Sequence, residues 1–414
     1  MKLFYTPKEL MLFWLFIFAL FFVNLFSEFL RYSDFMDAGE QDVKAVVLRS
    51  YVKQNNGLSY SVLHLKSENF SFYTTSRSKF KQNDYLNLTI HSVDVKFLDF
   101  ISNKFYMPTS YVKIEPYKHS PTLRDSLISA INSQHQNAKI SELYSTLFLA
   151  DSISKELRDD VMLLGVSHLV AISGYHLGVI FSLIFLLLTP ILRPLYQKFC
   201  PWRDYKFDIF ILAFVICVFY FLLLGFVPSF LRAFCMAVFG FFMLLRGIKI
   251  LNFQTLATCV GICIALFPSL LFNIGFYLSC MGVFCIFIYL KYFKDRFGFV
   301  VHSVFLNFYL FFVMQIPVLF FFPIISFAQF LVIPASYAFI IFYPASLVFH
   351  LVGFGSIFDD LLLKFLNFKA EFISVDIKIY EFLVFNALSI LAIKFRLIAV
   401  ILPIFGILKF ALLV

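Results

Sequence analysis

Charged residues are scarce in this chain of 414 residues and make up 14% of it, whereas they make up about 25% of soluble globular domains. Hydrophobic residues account for 61% of the sequence. Runs of about 20 apolar residues recur, which is the length that a helix needs to cross the core of a bilayer. The scarcity of charge therefore excludes a soluble protein and predicts a polytopic α-helical membrane protein.

Sequence motifs of the common catalytic sites are also absent. The chain has no Walker A loop, no G-x-S-x-G motif, no H-E-x-x-H motif and no H-x-H-x-D-H metal cluster. Its seven cysteines all lie in or beside apolar stretches from Cys200 onward, which argues against a disulfide framework and against a C-x-x-C metal site. We therefore expect no metal, no cofactor and no enzymatic activity, and we expect that the chain does not drive transport by hydrolysing nucleotides.

The apolar runs and the charges between them predict ten or eleven spans. The first, residues 10–27, follows Lys2 and Lys8, so the positive-inside rule places the N-terminus in the cytoplasm and residue 30 onward outside. Basic loops recur at every second boundary of the later spans, so topology explains most of the positive charge there. These spans are predicted at 168–192, 207–225, 227–245, 252–268, 272–290, 299–318, 379–393 and 397–412.

Residues 319–352 form an apolar stretch that Pro334 and Pro344 interrupt. A single span there would place Lys394 and Arg396 outside, against the positive-inside rule. We therefore predict two short or re-entrant spans in this stretch. Residues 355–378 are then predicted to be an amphipathic segment on the outer interface.

The segment between the first two spans is polar. Residues 40–116 alternate apolar and polar positions in about five short runs, which predicts strands, and an OB-fold is the commonest small barrel of that size. From 40 to 118 there are eleven Lys or Arg against seven Asp or Glu. Aromatic side chains beside cations can stack on nucleic-acid bases, although the same pattern fits a barrel core with solvated lysines. The binding candidates on this segment are Arg49, Tyr51, Tyr60, Tyr73, Arg77, Lys79 and Lys81.

The pattern thus divides the chain into four parts: a membrane helix at 1–30, an OB-fold-like domain at 31–118, an amphipathic helical segment at 119–166 and a membrane domain at 167–414. Residues 121–160 contain four basic and six acidic residues. Because this segment has no positive bias, we place it on the outer side together with the barrel.

The densest polar cluster at membrane depth is "HLVAISGYHLGVI" at 168–180. His168 and His176 are eight residues apart, so on a regular helix they cannot share a metal. Ser173 and Gly174 weaken helices and predict a break, which is tolerated only where protein or water surrounds it. An ordinary helix end in headgroup water is the open alternative. Arg232 either snorkels to the interface or meets phosphate in a wet path.

Five segments in order resemble ComEC-type competence proteins, the inner-membrane channel of natural transformation. The segment at 165–180 carries the strongest resemblance, and the sheet-forming segment stands where that family has its OB-fold. The resembling segments are "LFLADS" (147–152), "GVSHLVAISGYHLGVI" (165–180), "GFVPSFLRAFCM" (225–236), "FPSLLFNIGFYLSCMGV" (267–283) and "QIPVLFFFPIISFAQFLVIP" (315–334).

The resemblance implies a channel that carries single-stranded DNA from periplasm to cytoplasm. Tyr277 and Gln329 depart from the Gln and Asn expected there, which weakens any role assigned to them. We expect a short form without the metallo-β-lactamase-like domain of many members, so that a separate nuclease degrades the other strand. The channel-lining or gating residues that the resemblance implies are His168, Ser173, Gly174, His176, Arg232, Asn273, Gly275, Tyr277, Ser279, Gln315 and Gln329.

The same resemblance implies partners: single-stranded DNA, a periplasmic DNA receptor, cytoplasmic single-strand-binding or helicase-type motor proteins, and a second copy of the chain as a homodimer. Two other functions stay open at the level of sequence. One is a transporter of a small molecule or a lipid-linked substrate. The other is an intramembrane hydrolase that uses His168 or His176 as a base near Ser167 or Ser173.

Overall fold

The computed structural model describes residues 6–55, 58–67, 70–78, 80, 84–103, 105–107, 112–116, 122–225, 227–245, 252–294 and 298–411. The chain begins with a long helix, α1 (Pro7–Asp37), continues into a sheet and ends in a helical membrane domain. Helix α1 starts where the Thr6 hydroxyl caps the Glu9 amide and Pro7 occupies the first turn. The strands are β1 (Glu40–Asn55), β2 (Leu58–Ser67), β3 (Ser71–Ser76), β4 (Tyr85–His91), β5 (Phe105–Tyr106), β6 (Val112–Pro116), β7 (Ile324–Ile325) and β8 (Ile373–Ser374).

The first six strands form one sheet in the order β5-β3-β2-β1-β4-β6. Strands β3 and β4 alternate half-buried and buried side chains, as the sequence pattern predicts. A register shift between Val47 and Arg49 turns the two ends of the long strand β1 towards different partners. The predicted β-rich domain is confirmed.

The predicted closed barrel is wrong for the residues that the structure describes. Edge strand β5 pairs over two residues with β3, whereas edge strand β6 pairs only with β4, so no described ladder joins the two edges. Helix α1 covers the inner face of the sheet. Phe35 packs in its core, and the Tyr32 hydroxyl donates to the Val95 carbonyl over 2.7 Å. The helix predicted to end at residue 30 therefore continues to Asp37 as part of the sheet domain.

The helices after the sheet were predicted in outline as one amphipathic segment and a membrane domain. The membrane domain also contains 3-10 turns at Pro268–Phe272, Phe327–Leu331 and Gly355–Phe358. The helices are α2 (Phe97–Ile101), α3 (Leu123–Asn132), α4 (Ala138–Leu149), α5 (Lys155–Leu163), α6 (Ser167–Val170), α7 (Gly174–Phe199), α8 (Tyr205–Leu224), α9 (Pro228–Leu245), α10 (Phe253–Leu266), α11 (Ile274–Phe293), α12 (Phe299–Val313), α13 (Gln315–Phe321), α14 (Val332–Val352), α15 (Asp359–Leu366), α16 (Ile379–Leu391) and α17 (Arg396–Phe410).

Six helical stretches in the described part of the chain are long and apolar enough to cross a membrane. The protein is therefore a multi-pass membrane protein. Shorter apolar helices at Ser229–Met243, Phe253–Leu266 and Ile379–Leu391 occupy three more of the predicted spans. The six long stretches are Pro7–Asp37, Gly174–Phe199, Tyr205–Leu224, Ile274–Phe293, Phe299–Phe321 and Phe327–Val352.

The two short spans predicted in 319–352 are wrong, because α14 is one continuous helix. Pro334 lies in its first turn, where the missing amide hydrogen costs no hydrogen bond. Helix α14 contacts the start of α7 near its own start, and the loop between α3 and α4 near its own end. The Tyr175 hydroxyl donates to the Ser336 carbonyl near the start of α14, and His350 contacts His135 near its end.

The "IKFR" loop, predicted on the same side as the basic loop after α11, contacts the end of α11. The Lys291 ammonium donates to the Ile393 carbonyl over 2.6 Å, and the Tyr292 hydroxyl donates to the Ala392 carbonyl over 3.0 Å. The loop therefore lies at the basic end of α11.

Candidate functional site

The helix break predicted at "ISG" is present. Helix α6 ends at Val170, and α7 begins at Gly174 with Ser173 as its extended N-cap. The Tyr175 amide donates to the Ser173 hydroxyl over 3.2 Å, and the Ser173 amide donates to Nδ1 of His176, also over 3.2 Å. Serine at the cap and glycine after it thus start a new helix at this point.

Arg232 of α9 lies beside this break. Its side chain is 5% exposed, and a Cβ on Gly174 would stand 3.3 Å from its guanidinium nitrogen Nη2. Its Nε donates to the Ser279 hydroxyl of α11 over 2.8 Å, and its Nη1 contacts the Met236 sulfur at 2.9 Å. The structure therefore brings together three of the segments on which the resemblance rests.

A second contact ties α9 to the break. The Ser229 hydroxyl donates to the Ile172 carbonyl over 2.6 Å, which gives the interrupted backbone a partner. Sequence reasoning did not select Ser229, although it lies in the same segment as Arg232. No carboxylate in the part of the chain that the structure describes pairs with Arg232, whose polar partners there are a hydroxyl and a sulfur. We name Ile172, Ser229, Arg232, Ser279 and Gly174 the arginine cluster.

His168 lies in α6, the short helix before the break. It is exposed, whereas the next two residues of α6, Leu169 and Val170, are buried. Surrounding protein nevertheless lowers the pKa of His168, against the effect of a hydrogen bond with the Gly165 backbone.

His176, by contrast, is fully buried. Its ring stands edge-on to Phe339 and Tyr343 of α14, with ring centroids 5.2 and 4.8 Å apart. The alternative that both histidines sit in headgroup water is therefore wrong for His176. Nδ1 accepts from Ser173, and Nε2 has no hydrogen-bond partner among the described residues.

The remaining predicted channel residues mostly join helices. Asn273 caps α11 by accepting from the Phe276 amide over 2.9 Å, and a Cβ on Gly275 would lie 3.3 Å from the same Asn273 oxygen. The Tyr277 hydroxyl donates to Asn386 of α16 over 2.8 Å.

Gln315 and Gln329 are both 7% exposed. Gln329 donates to the Ile324 carbonyl over 2.9 Å, and its Cα lies 3.1 Å from a Cβ built on Gly165. Gly165 has a φ of +72°, which favours glycine. Gln315 and Gln329 thus pack inside the helical domain, away from the arginine cluster.

The outer face of the sheet carries a pocket of about 520 Å³. The strand register places its lining side chains on one face, because Tyr51 lies opposite Val62, and Lys53 opposite Tyr60. Three tyrosines selected from the sequence, Tyr51, Tyr60 and Tyr73, therefore surround one site. The full lining is Tyr51, Lys53, Tyr60, Val62, Tyr73, Thr75 and Tyr106.

Cations gather at one side of this tyrosine pocket. Arg49 lies opposite His64 on the same face, and the His64 ring stacks on Tyr73 at 4.3 Å. Burial and the charge of Arg49 lower the pKa of His64 to about 4. Arg158 of α5 comes from the helical domain, and burial together with the like charge of Arg49 lowers its pKa to about 10. Arg49 and Arg158 therefore extend the positive charge from the pocket towards α5 and α6.

Arg77, Lys79 and Lys81 were also predicted as binding residues on the sheet. Arg77 is exposed just after β3 and does not line the pocket, and Lys79 and Lys81 lie outside the described residues. Lys53, Tyr106 and Arg158 were not predicted from the sequence. Alternation along β1 could have selected Lys53, because it shares the face of Tyr51, whereas Arg158 joins the site only through tertiary contact.

Comparison with known proteins gives one match. The model of a family described as Competence protein matches residues 147–414. No curated protein and no solved structure matches the chain. The matched range contains the arginine cluster, His168 and Arg158, and it leaves the sheet outside.

Proposed function

The chain belongs to the competence protein family, whose members take part in DNA uptake, and we propose that it is the channel through which single-stranded DNA crosses the inner membrane during natural transformation. The arginine cluster is the observation that carries this proposal. A buried guanidinium at membrane depth is costly without an anion. Arg232 has only neutral partners among the described residues, and a phosphate is the anion that a guanidinium binds in bidentate fashion.

The position of the arginine cluster indicates how it acts. It joins the start of α7, the start of α9 and α11, next to the break that separates α7 from His168 of α6. In the present conformation Arg232 and His176 are buried, so they close the path rather than line an open one. An arriving phosphate would compete with Ser279 and Met236 for the guanidinium, and this exchange would open the contact between α9 and α11.

The tyrosine pocket is the proposed receiving site. Bases stack on aromatic side chains without regard to sequence, and a strand's phosphates need cations at the same groove. Four tyrosines and Lys53 line the pocket, and Arg49 and Arg158 continue it towards the helices. A DNA strand bound in this pocket would extend towards α5 and α6, and hence towards His168.

Orientation, partners and the lack of catalysis complete the proposal. The sheet would face the periplasm and the basic loops the cytoplasm, as the positive-inside rule requires. A periplasmic receptor would deliver DNA to the sheet, a cytoplasmic single-strand-binding or helicase-type protein would pull it in, and a separate nuclease would degrade the other strand. We also propose that two copies of the chain form a homodimer. The chain itself would act as a channel and not as an enzyme.

Deletion of the chain followed by microscopy of fluorescent DNA tests the proposal. We expect labelled DNA to accumulate outside the inner membrane of the deletion strain and to enter the cytoplasm again after complementation. Arrival of DNA in the cytoplasm of the deletion strain would refute the channel. If DNA uptake is normal but export or import of a lipid-linked compound fails, the alternative transporter function is favoured.

If DNA bases stack on the tyrosines of the pocket, removal of these tyrosines should weaken DNA binding. Tyr51→Ala together with Tyr60→Ala is expected to weaken binding of oligothymidylate to the purified full-length protein by about 30-fold or more, because each stacked base contributes about 1–3 kcal/mol. Fluorescence anisotropy measures the Kd. Tyr205→Ala, outside the sheet at the start of α8, is the control and should leave the Kd unchanged. Equal Kd values for the wild type and the double variant would exclude this pocket.

Phosphate contact predicts a separate effect on salt dependence. Arg49→Gln and Arg158→Gln should each reduce the slope of log K against log salt by about 0.7, because each removes one cation that displaces a counterion from a single strand. The tyrosine variants should keep the wild-type slope while lowering affinity. An unchanged slope in both arginine variants would contradict a phosphate track on this face.

A further inference from the structure

Two histidines and an aspartate from distant parts of the chain form a buried chain of hydrogen bonds. His135 follows α3, His350 closes α14 and Asp359 opens α15. His135 Nδ1 lies 3.0 Å from the Asp359 carboxylate, and its Nε2 lies 3.0 Å from Nε2 of His350. Nδ1 of His350 lies 2.6 Å from the Ser346 carbonyl. The His135 side chain is fully buried, and His350 is 8% exposed.

The acceptors at the two ends fix the number of protons. A carboxylate and a carbonyl only accept, so Nδ1 of His135 and Nδ1 of His350 must each carry a hydrogen. If neither Nε2 carried a proton, two lone pairs would face each other at 3.0 Å. One further proton between the two Nε2 atoms removes this repulsion. The pair then has three N–H protons and a single positive charge.

The surroundings stabilise that charge. Asp359 supplies the opposite charge, and its side chain is 15% exposed. The Tyr144 ring stacks on His135 at 4.7 Å and lies 4.4 Å from the ring of His350, distances at which an aromatic face attracts a cation. Gln134 holds the backbone on both sides, donating to the His350 carbonyl over 3.1 Å and accepting from the Gly355 amide over 2.9 Å.

Other charged groups on the packed elements point elsewhere. Lys139 of α4 pairs with Glu156 and Asp160, and Asp360 and Lys364 of α15 are exposed. Asp359 and the Tyr144 hydroxyl are therefore the titratable groups that face the histidine pair among the described residues.

We propose that His135, His350 and Asp359 form a proton-binding site, in which one proton shared between two imidazoles clamps the loop between α3 and α4 to the end of α14. The loop belongs to the helical segment that lies between the sheet and α7 in the chain. Loss of the shared proton leaves two lone pairs in contact and loosens this connection. The site does not depend on DNA transport, so failure of the channel proposal would leave it intact.

The shared proton predicts a maximum in stability against pH. In the unfolded chain, both rings are neutral above the free-histidine pKa of about 6.5, and each ring binds one extra proton below it. The folded pair binds one extra proton in total. Stability therefore rises with pH below about 6.5 and falls above it, with the unfolding constant changing about tenfold per pH unit on each side. The fall ends when the folded pair loses its proton.

Thermal unfolding of the full-length protein in detergent, from pH 5 to 9, measures this profile. We expect the Tm difference between the wild type and His135→Gln/His350→Gln to pass through a maximum near pH 6.5. Tyr144→Phe keeps the stacked ring and should keep the maximum. A difference that rises through pH 6.5 and then stays level would mean that the folded pair is neutral, and would overturn the proposal.

Asp359→Asn provides the second test if the double histidine variant does not accumulate. Asparagine still accepts from His135, but it removes the negative charge that stabilises the shared proton. The fall on the alkaline side should shrink or vanish, and the rise on the acid side should remain. An alkaline limb identical to that of the wild type, or a Zn²⁺-dependent rise in Tm in place of the pH maximum, would overturn the shared proton.

Discussion

Replacing Arg232 by Gln is expected to reduce transformation by about 100-fold or more while leaving the protein folded. If the guanidinium makes two hydrogen bonds to a passing phosphate, and each bond to a charged group contributes about 1.5–3 kcal/mol, the loss is about 3 kcal/mol or more. Glutamine can still donate to Ser279, so the contact between α9 and α11 survives. Removal of a buried charge without a carboxylate partner among the described residues should leave the Tm unchanged or raise it.

Two further variants make the Arg232 result specific. Arg232→Lys keeps the charge and should retain part of the activity. Arg396→Gln, an exposed arginine at the start of α17, is the matched control and should transform normally. Transformation frequency, membrane abundance and Tm are measured together. Normal transformation by Arg232→Gln at normal abundance would remove the arginine cluster from the path, and a collapse of Tm would assign Arg232 a structural role.

Local chemistry made the break before α7 predictable from sequence. Serine followed by glycine offers a cap and a weak helix position, and these two properties act within four residues. The alternation in β3 and β4 was predictable for the same reason, because side chains point to alternate faces of any strand. Sequence also selected three of the four tyrosines of the pocket, since aromatic residues at alternate positions of a strand share a face.

Contacts between distant segments could not be predicted in this way. His135 and His350 are separated by 215 positions, and each alone looks like an ordinary polar residue near a helix end. Arg158 comes near Arg49 only through the tertiary placement of α5. The closed barrel failed because closure depends on whether β5 and β6 pair, and β5 pairs over only two residues. The course of α14 likewise depends on Tyr175 and His135, which hold its two ends.

The second large effect concerns packing. Gly406→Ala is expected to destabilise the membrane domain by about 1–3 kcal/mol or more, the usual cost of overfilling a core. Helix α17 crosses α12 at Gly406, and an added Cβ would overlap the carbonyl oxygen of Phe312. A backbone carbonyl cannot rotate away as a side chain does, so the two helices must separate. Small residues allow such close approach between membrane helices.

Two other glycines give a graded series in the same protein. A Cβ on Gly261 of α10 would lie 2.8 Å from the Trp14 ring of α1, and since a side chain can shift, Gly261→Ala should cost less than Gly406→Ala. Among the residues that the structure describes, a Cβ on Gly282 of α11 meets nothing within 4 Å, so Gly282→Ala should stabilise the helix by up to about 1 kcal/mol.

Tm values in detergent should therefore fall in the order Gly282→Ala, wild type, Gly261→Ala, Gly406→Ala. If Gly406→Ala unfolds at the wild-type temperature, α12 and α17 do not touch at this point. The α12–α17 contact also fixes Tyr309, whose hydroxyl donates to the Ala399 carbonyl over 3.0 Å. The Tyr309→Phe substitution should consequently lower the stability of the wild-type protein. It should lower the stability of the Gly406→Ala variant much less, because the separated helices have already broken that hydrogen bond.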